Sequence, residues 1–437
     1  MADAVEPATS RSIRRRTVAL IVLGILAVYA VEAHARRGEK ASPATIGDQG
    51  AYLGYARHLY ESNYTVTEDR NRMPVYPFLL SLIYRPGMTE DEFLVRAQRF
   101  TVNLSVVWLL VLFFVYRRFF PPLPAIALLA VTAFSLFLYR SGRAQVELLY
   151  YCVSFCAFVL LLHTFTKPRW WVALLAGATV GLAHLTKASI LPALLLWAVV
   201  FGAQIVWSFR DNLWRRLGVF ALVLGAFVAV VFPYIQTSKR IYDAYFYNVN
   251  STFVMWCDSS TEAFDFLNAH DKDQWREVPP DQRPSFRKYW REHSLGQMAQ
   301  RIVDGSLDLA TKDLKLIGHY KFVLLLAIVA VVLCLRDPRS AGAVLARNPF
   351  AALFASLFLA GYFLLFGWYD VISGDARFLL SIFVPFVFAG SVFVFRLGRD
   401  RVVSLAGRQI PFDQFFGGLF LALAMIDVVY SASDVLR

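Results

Sequence analysis

Residues 217–236 read Leu217-Gly218-Val219-Phe220-Ala221-Leu222-Val223-Leu224-Gly225-Ala226-Phe227-Val228-Ala229-Val230-Val231-Phe232-Pro233-Tyr234-Ile235-Gln236, with no charged side chain anywhere in the run. At 1.5 Å per residue a helix of this length rises about 30 Å, which matches the hydrocarbon core of a bilayer. Backbone polar groups cannot go unpaired in lipid, so a run this long and uniform must be helical. Working outward, similar runs occur at 17–33, 98–116, 122–139, 145–166, 171–186, 188–208, 320–335, 348–368, 378–395 and 412–432. The predicted fold is therefore an all-α polytopic membrane protein of about eleven transmembrane helices. Composition agrees: 57% of the 437 residues are hydrophobic and 17% charged, against about half and a quarter in soluble domains.

Loop charge orients the bundle. With alternating spans, the segments 1–16, 117–121, 167–169, 209–216, 336–347 and 396–409 hold 18 Lys and Arg. The short segments on the other side hold five: Arg140, Arg143, Lys187, Arg377 and Arg437. That asymmetry places the first set, and the N-terminus, in the cytoplasm. The basic start, first apolar run and Ala33-His34-Ala35 also fit a cleaved signal peptide. The run is long enough to span and is read as a retained helix, and either reading sends the next segment outward. The expected organisation is a cytoplasmic tail (1–16), a transmembrane module (17–236) carrying a first extracytoplasmic loop (34–97), a second extracytoplasmic segment (237–318), and C-terminal transmembrane helices (319–437).

The net charge of +12 would suggest nucleic acid in a soluble protein. Here it lies in short loops between spans, so no nucleic-acid partner is expected and the bilayer is the first partner. Cys152, Cys156 and Cys334 sit in apolar runs and Cys257 stands alone, a spacing that supports neither a zinc site nor a disulfide framework. The histidines are scattered and read as structural.

Charged residues recur at the outer ends of the runs. The first outer loop contains Gly47-Asp48-Gln49 followed by Tyr52, in a stretch of helical spacing over 48–60. Asp48 then stands at a helix N-terminus, where a carboxylate serves as a cap, or as a general base or metal ligand at the membrane surface. Downstream come Asp69, Arg70 and Arg72, the arginines suited to forking onto phosphate or to contacting headgroups. Glu147 lies at the start of an apolar run, where it is costly unless paired; Arg143, four residues before it, offers a helical partner. Lys187 occupies a tight outer turn, and Asp375 and Arg377 open another run. Together these describe an outward site with acids and several cations, fitted to a phosphate at the membrane surface with a lipid tail below. The segment from Tyr245 to Asp258 is rich in rings and amides, suited to stacking on sugars or to packing as a cap.

In order and placement, these features resemble the GT-C class of polyprenyl-phosphate-sugar glycosyltransferases, in particular bacterial relatives of protein O-mannosyltransferases and of the lipid A aminoarabinose transferase. The matching stretches are Gly47-Asp48-Gln49, Arg72-Met73-Pro74-Val75-Tyr76-Pro77, Glu147, Gly181-Leu182-Ala183-His184-Leu185-Thr186-Lys187 with Pro192, and Arg377-Phe378-Leu379-Leu380 with Pro385. The resemblance implies an enzyme of the bacterial plasma membrane. Such an enzyme moves a sugar from a polyprenyl-phosphate donor to a hydroxyl of a lipid, glycan or protein. Asp48 takes the role of catalytic base, with a pKa expected to be raised by a partly desolvated pocket. Arg70, Arg72, Lys187 and Arg377 take the donor phosphate, and Tyr52, Asp69, Glu147 and Asp375 are further candidates. No cofactor is indicated with certainty and a divalent metal stays open without an indication for it; where the family often pairs the aspartate with a second acid, this chain has Gln49, which favours metal-independent catalysis. A transporter or flippase would instead place charges at mid-span. A lipid-linked oligosaccharide ligase or polymerase would carry its chemistry in one large late loop.

Overall fold

A computed structural model describes residues 15–37, 47–65, 72–208, 212–270, 278–313, 319–375 and 377–435. In chain order the helices are α1 (Arg15–Ala35), α2 (Gly47–Glu61), α3 (Val75–Ser81), α4 (Glu90–Arg117), α5 (Pro122–Arg140), α6 (Glu147–Thr166), α7 (Trp170–Thr186), α8 (Ala188–Trp207) and α9 (Leu213–Tyr242). After α9 come α10 (Ser260–Ala269), α11 (Phe286–Glu292), α12 (Leu295–Asp308), α13 (Tyr320–Arg336), α14 (Pro338–Ala346), α15 (Pro349–Asp370), α16 (Arg377–Gly398) and α17 (Phe412–Val435). The chain is an all-α polytopic membrane protein. Among the described residues, nine helices are long and apolar enough to cross a bilayer: α1, α4, α5, α6, α8, α9, α15, α16 and α17. The other two runs form α7 and α13, each of 17 residues, the lower limit for a span.

Two spans overrun their apolar stretches toward the end of the bundle that carries α2 and the segment after α9. Helix α4 begins at Glu90, ahead of the expected start at 98. Thr89 and Glu92 close a capping box there, and Glu90, Asp91 and Glu92 face the positive pole of the helix. Helix α9 has 30 residues, about 45 Å, so it must protrude from a core about 30 Å thick. Its last turns carry buried Ser238 and Tyr242 beneath the second outer segment. At the opposite end, Val402–Leu405 and Arg408–Pro411 form an antiparallel hairpin. Its two turn residues, Ala406 and Gly407, both have positive φ (47° and 76°), as a type I′ turn demands.

In lipid, helices are held by packing and by internal polar contacts rather than by escape from water. Aromatic rings supply much of the packing: Phe158 and Phe358 have centroids 4.7 Å apart and Phe155 and Phe388 5.2 Å. Hydroxyl and indole bonds stitch the seams, with Tyr29 Oη 2.7 Å from Ser105 Oγ, Tyr116 Oη 2.9 Å from Thr132 Oγ1, and Trp197 Nε1 donating to Thr164 Oγ1 at 3.0 Å. Helix α5 is not regular throughout: residues Val131–Phe137 are π-helical, and the Leu138 N–H reaches back to the Ala133 carbonyl.

The described part of the segment 237–318 folds into a cap. Tyr242, Tyr247, Val249, Phe253, Val254, Cys257, Ala263 and Ile372 form its own small core, and Tyr242 stacks on Tyr247 at 4.4 Å. Most of the ring-rich stretch thus packs on itself, and the Asn248 amide caps a short helix by accepting from Ser251 N–H. Amphipathic α12 lies along the C-terminal half of α15, tied by Arg301 Nε donating to the Trp368 carbonyl at 2.9 Å.

Candidate active site

The N-termini of α2, α6 and α16 and the C-termini of α5 and α7 converge at one end of the bundle, and their charges meet. Gly47, at φ +69°, turns the chain into α2 in a conformation that favours glycine. Asp48 therefore stands in the first turn of α2, and its carboxylate looks away from the helix toward two arginines. Arg72 Nη2 donates to Asp48 Oδ1 at 2.8 Å, and Arg377 Nη1 donates to Asp48 Oδ2 at 2.5 Å. Asp48 is more than a cap: both of its oxygens are held by cations from other parts of the chain.

Around this pair lies a second tier. Glu147 is almost fully buried, its Oε1 3.6 Å from Lys187 Nζ and 3.7 Å from Arg377 Nη1. Those separations exceed a hydrogen bond, and Glu147 Oε2 is buried without a partner. The expected helical pair between Arg143 and Glu147 does not form, because α6 begins only at Glu147 and Arg143 lies in the turn before it. Lys187 projects from the α7–α8 turn, with its ammonium 5.0 Å from the ring of Phe378 and 5.7 Å from that of Tyr150. The turn itself is pinned: Ser189 Oγ donates to Tyr150 Oη at 2.9 Å, and Tyr362 Oη donates to the Ser189 carbonyl at 2.6 Å.

Asp375 bridges two arginines. Its Oδ1 accepts from Arg140 Nη2 at 2.5 Å and from the Arg377 backbone N–H at 2.9 Å, while Oδ2 lies 3.3 Å from Arg377 Nε. Tyr151 Oη holds the Arg377 carbonyl at 2.8 Å. The structure thus brings together Asp48, Tyr52, Arg72, Glu147, Lys187, Asp375 and Arg377. Arg72 sits over the Tyr52 ring at 5.8 Å. Asp69 and Arg70 lie outside the described residues.

Three members carried no signal strong enough to single them out in the sequence. Arg140 is only 5% exposed, and its acid partner is 235 positions away. Gln49, read as the place of a missing acid, has a structural role, since its buried Oε1 accepts from the Ala144 N–H at 2.8 Å. Tyr151 is four residues after Glu147 on the same helical face, a spacing that could have marked it. The strap Ser141–Val146 is tight: Gly142 has φ +81°, and a Cβ there would stand 2.9 Å from the Arg36 carbonyl oxygen.

The electrostatics correct one expectation. Burial pushes the Asp48 carboxyl up, but Arg377 and Arg72, each both near and hydrogen-bonded, outweigh it, and the group is held below its ordinary 3.8. Asp375 behaves alike: burial raises it, and Arg140 and Arg377 with the Arg377 N–H bring it below its ordinary value. Lys187 is lowered, chiefly by burial; Glu147 and Asp48 support its charge while Arg377 and Arg140 oppose it. Among the described residues the site gathers three acids, Asp48, Glu147 and Asp375, and four cations, Arg72, Arg140, Lys187 and Arg377, with the cations in excess by one. Such a surplus accommodates an anion.

No family model matches the chain, and no curated protein matches it. Among solved structures it is similar to the arabinosyltransferase EmbB from Mycobacterium smegmatis, with a TM-score of 0.37 and 14% sequence identity. That likeness covers 99% of this chain and 38% of the other, so the chain spans well under half of that protein's length.

Proposed function

We propose that the chain is an integral membrane glycosyltransferase. It transfers a sugar from a polyprenyl-phosphate donor to an acceptor hydroxyl at the extracytoplasmic face of a bacterial plasma membrane. The observation that carries this reading is Asp48 held between Arg72 and Arg377, with Lys187 beside them, at the mouth of a helical bundle. A phosphate at the membrane surface, its polyprenyl tail in the bilayer, can take the same cations. Arg70, outside the described residues, is part of the proposed phosphate set. Asp69, Glu147, Asp375 and Tyr52 are its further polar neighbours.

The low pKa of Asp48 shapes the mechanism. With both oxygens engaged, the carboxylate is a weak base. Donor phosphate competes for Arg72 and Arg377, and as they turn to it, Asp48 loses the cations that hold its pKa down while keeping its burial. The donor thereby arms the base. Asp48 then takes the acceptor O–H proton as that oxygen bonds to the anomeric carbon. The bond from this carbon to the phosphate oxygen breaks, and the electron pair leaves with polyprenyl phosphate, stabilised by Lys187 and the arginines. Attack opposite the leaving group inverts the anomeric centre. No metal enters this scheme.

The test is turnover of a short-chain polyprenyl-phosphate sugar by the purified protein, beside Asp48→Ala and Lys187→Ala. Release of polyprenyl phosphate by the wild type, with Asp48→Ala binding but inactive, is the expected result. A wild type that neither binds nor cleaves such donors overturns the reading. Solute flux across proteoliposomes would then decide for a transporter.

A further inference from the structure

A second polar cluster joins α5, α13 and α17. Asp427 of α17 accepts from Ser135 Oγ and from Lys321 Nζ of α13. His319, fully buried at the head of α13, donates through Nε2 to the Ser135 carbonyl and lies against the Phe383 ring of α16 at 4.1 Å. Ionisable side chains within spans are costly and are kept where they serve a purpose. A buried ion pair is also weak evidence for stability, since two well-packed apolar residues would often serve as well. What these groups share is Ser135, gripped at its hydroxyl and at its carbonyl.

Ser135 lies in the π-helical stretch Val131–Phe137. A π-turn adds a residue to the helical repeat and so re-aims everything beyond it; such turns are rare and are found at functional sites. Directly beyond this one, Leu138–Arg140 ends the helix, and Arg140 reaches Asp375, which in turn holds Arg377. An α-helical register through 131–137 would swing Arg140 by roughly 100° away from Asp375.

We propose that Ser135, His319, Lys321 and Asp427 are positioning residues: they clamp the π-turn that aims Arg140 at Asp375 and so set the arginine pair at the mouth of the site. The clamp ties α5 to α13, α16 and α17, so the last helices of the chain govern the geometry of a site built mainly from the earlier ones. The activity readout rests on the transferase reading; the exchange readout below does not.

The experiment is hydrogen exchange on the full chain in nanodiscs, for wild type, Asp427→Asn, Asp427→Glu and the double variant Lys321→Met/Asp427→Leu, with donor turnover measured on the same samples. Exchange over 138–146 is expected to rise about tenfold or more in Asp427→Asn and in the double variant, with melting temperature close to wild type. Asp427→Glu is expected to restore protection. Turnover is expected to fall in parallel, mainly in kcat, because Arg140 acts through Asp375 and Arg377. If the double variant does not fold, Ser135→Ala, which removes only the hydroxyl contact, decides by the same readout. Unchanged exchange over 138–146, or a rise confined to α13 and α17, overturns the proposal. A specific rise over 138–146 in a protein whose wild type turns over no donor leaves the clamp standing and removes the transferase reading.

Discussion

Two polar regions share one end of the molecule, and they are built on different rules. In the cap, the helix-capping side chains close on their own backbone. Asn248, Ser259, Ser285 and Ser294 each accept from an N–H three residues on, and Ser294 with Gln297 completes a capping box. Arg301 is sandwiched by rings, 4.3 Å from Trp368 and 5.2 Å from Tyr289. In the charge cluster, by contrast, Lys187 and Arg377 share one oxygen of Glu147 at more than hydrogen-bond distance, and the other oxygen has no partner. Buried polar groups are normally satisfied. The charge cluster leaves acids and cations close but incompletely bonded around one spot and so can take an anion, whereas the unbonded Arg301 nitrogens of the cap are covered by rings.

The largest effect that would break this contrast belongs to Asp48. Asp48→Asn keeps the shape and removes the base, so turnover should fall by about a thousandfold while donor binding, measured by titration with polyprenyl phosphate, persists. Full activity in that variant would return Asp48 to the status of a tether for two arginines. Next come the cations. Lys187→Ala and Arg377→Ala each remove a charged donor to phosphate, and binding should weaken by about 10- to 100-fold. An unchanged titration would place the phosphate elsewhere.

A pH profile sharpens the same contrast. In the folded protein Asp48 is held below 3.8. Its ion pairs therefore contribute stability above the unfolded-state pKa, and that contribution is lost as pH falls through the lower folded value. In kcat/KM, which reports the free enzyme, Asp48 should give no acid limb near neutrality. In kcat, which reports the donor complex, the limb should move upward as phosphate draws the arginines away. Identical acid limbs in both parameters would mean that the donor does not displace Arg72 and Arg377.

Much of the cluster was legible because membrane helices leave few places for charge. Once an apolar run is read as a span, alternation fixes which end each terminal residue occupies, and Asp48, Glu147, Lys187 and Arg377 fall at the same end. Side-chain geometry was not legible in this way. Proximity of arginines to Asp48 could be inferred, but whether burial or charge wins depends on both oxygens being bonded. Arg140 looked like one of two loop arginines, since nothing local points to Asp375. Val131-Thr132-Ala133-Phe134-Ser135-Leu136-Phe137 has no proline or glycine to announce a π-turn; its partners come from α13 and α17. The hairpin after α16 was hidden because its first turn residue is alanine at positive φ, where Asn, Asp or Gly would have signalled it.

The smallest expected effect is the control for the whole comparison. Ser294→Ala removes the side chain that caps α12, and Gln297 loses half of its reciprocal pair. Loss of such a cap costs about 1 kcal/mol, spread over a helix that the Arg301 contacts also hold. Local hydrogen exchange near residue 295 should quicken, melting temperature should move by a few degrees at most, and donor turnover should stay at the wild-type level. If scaffold and site were one cooperative unit, Ser294→Ala would instead lower turnover in step with Lys187→Ala, and the cap and the charge cluster would no longer be separable.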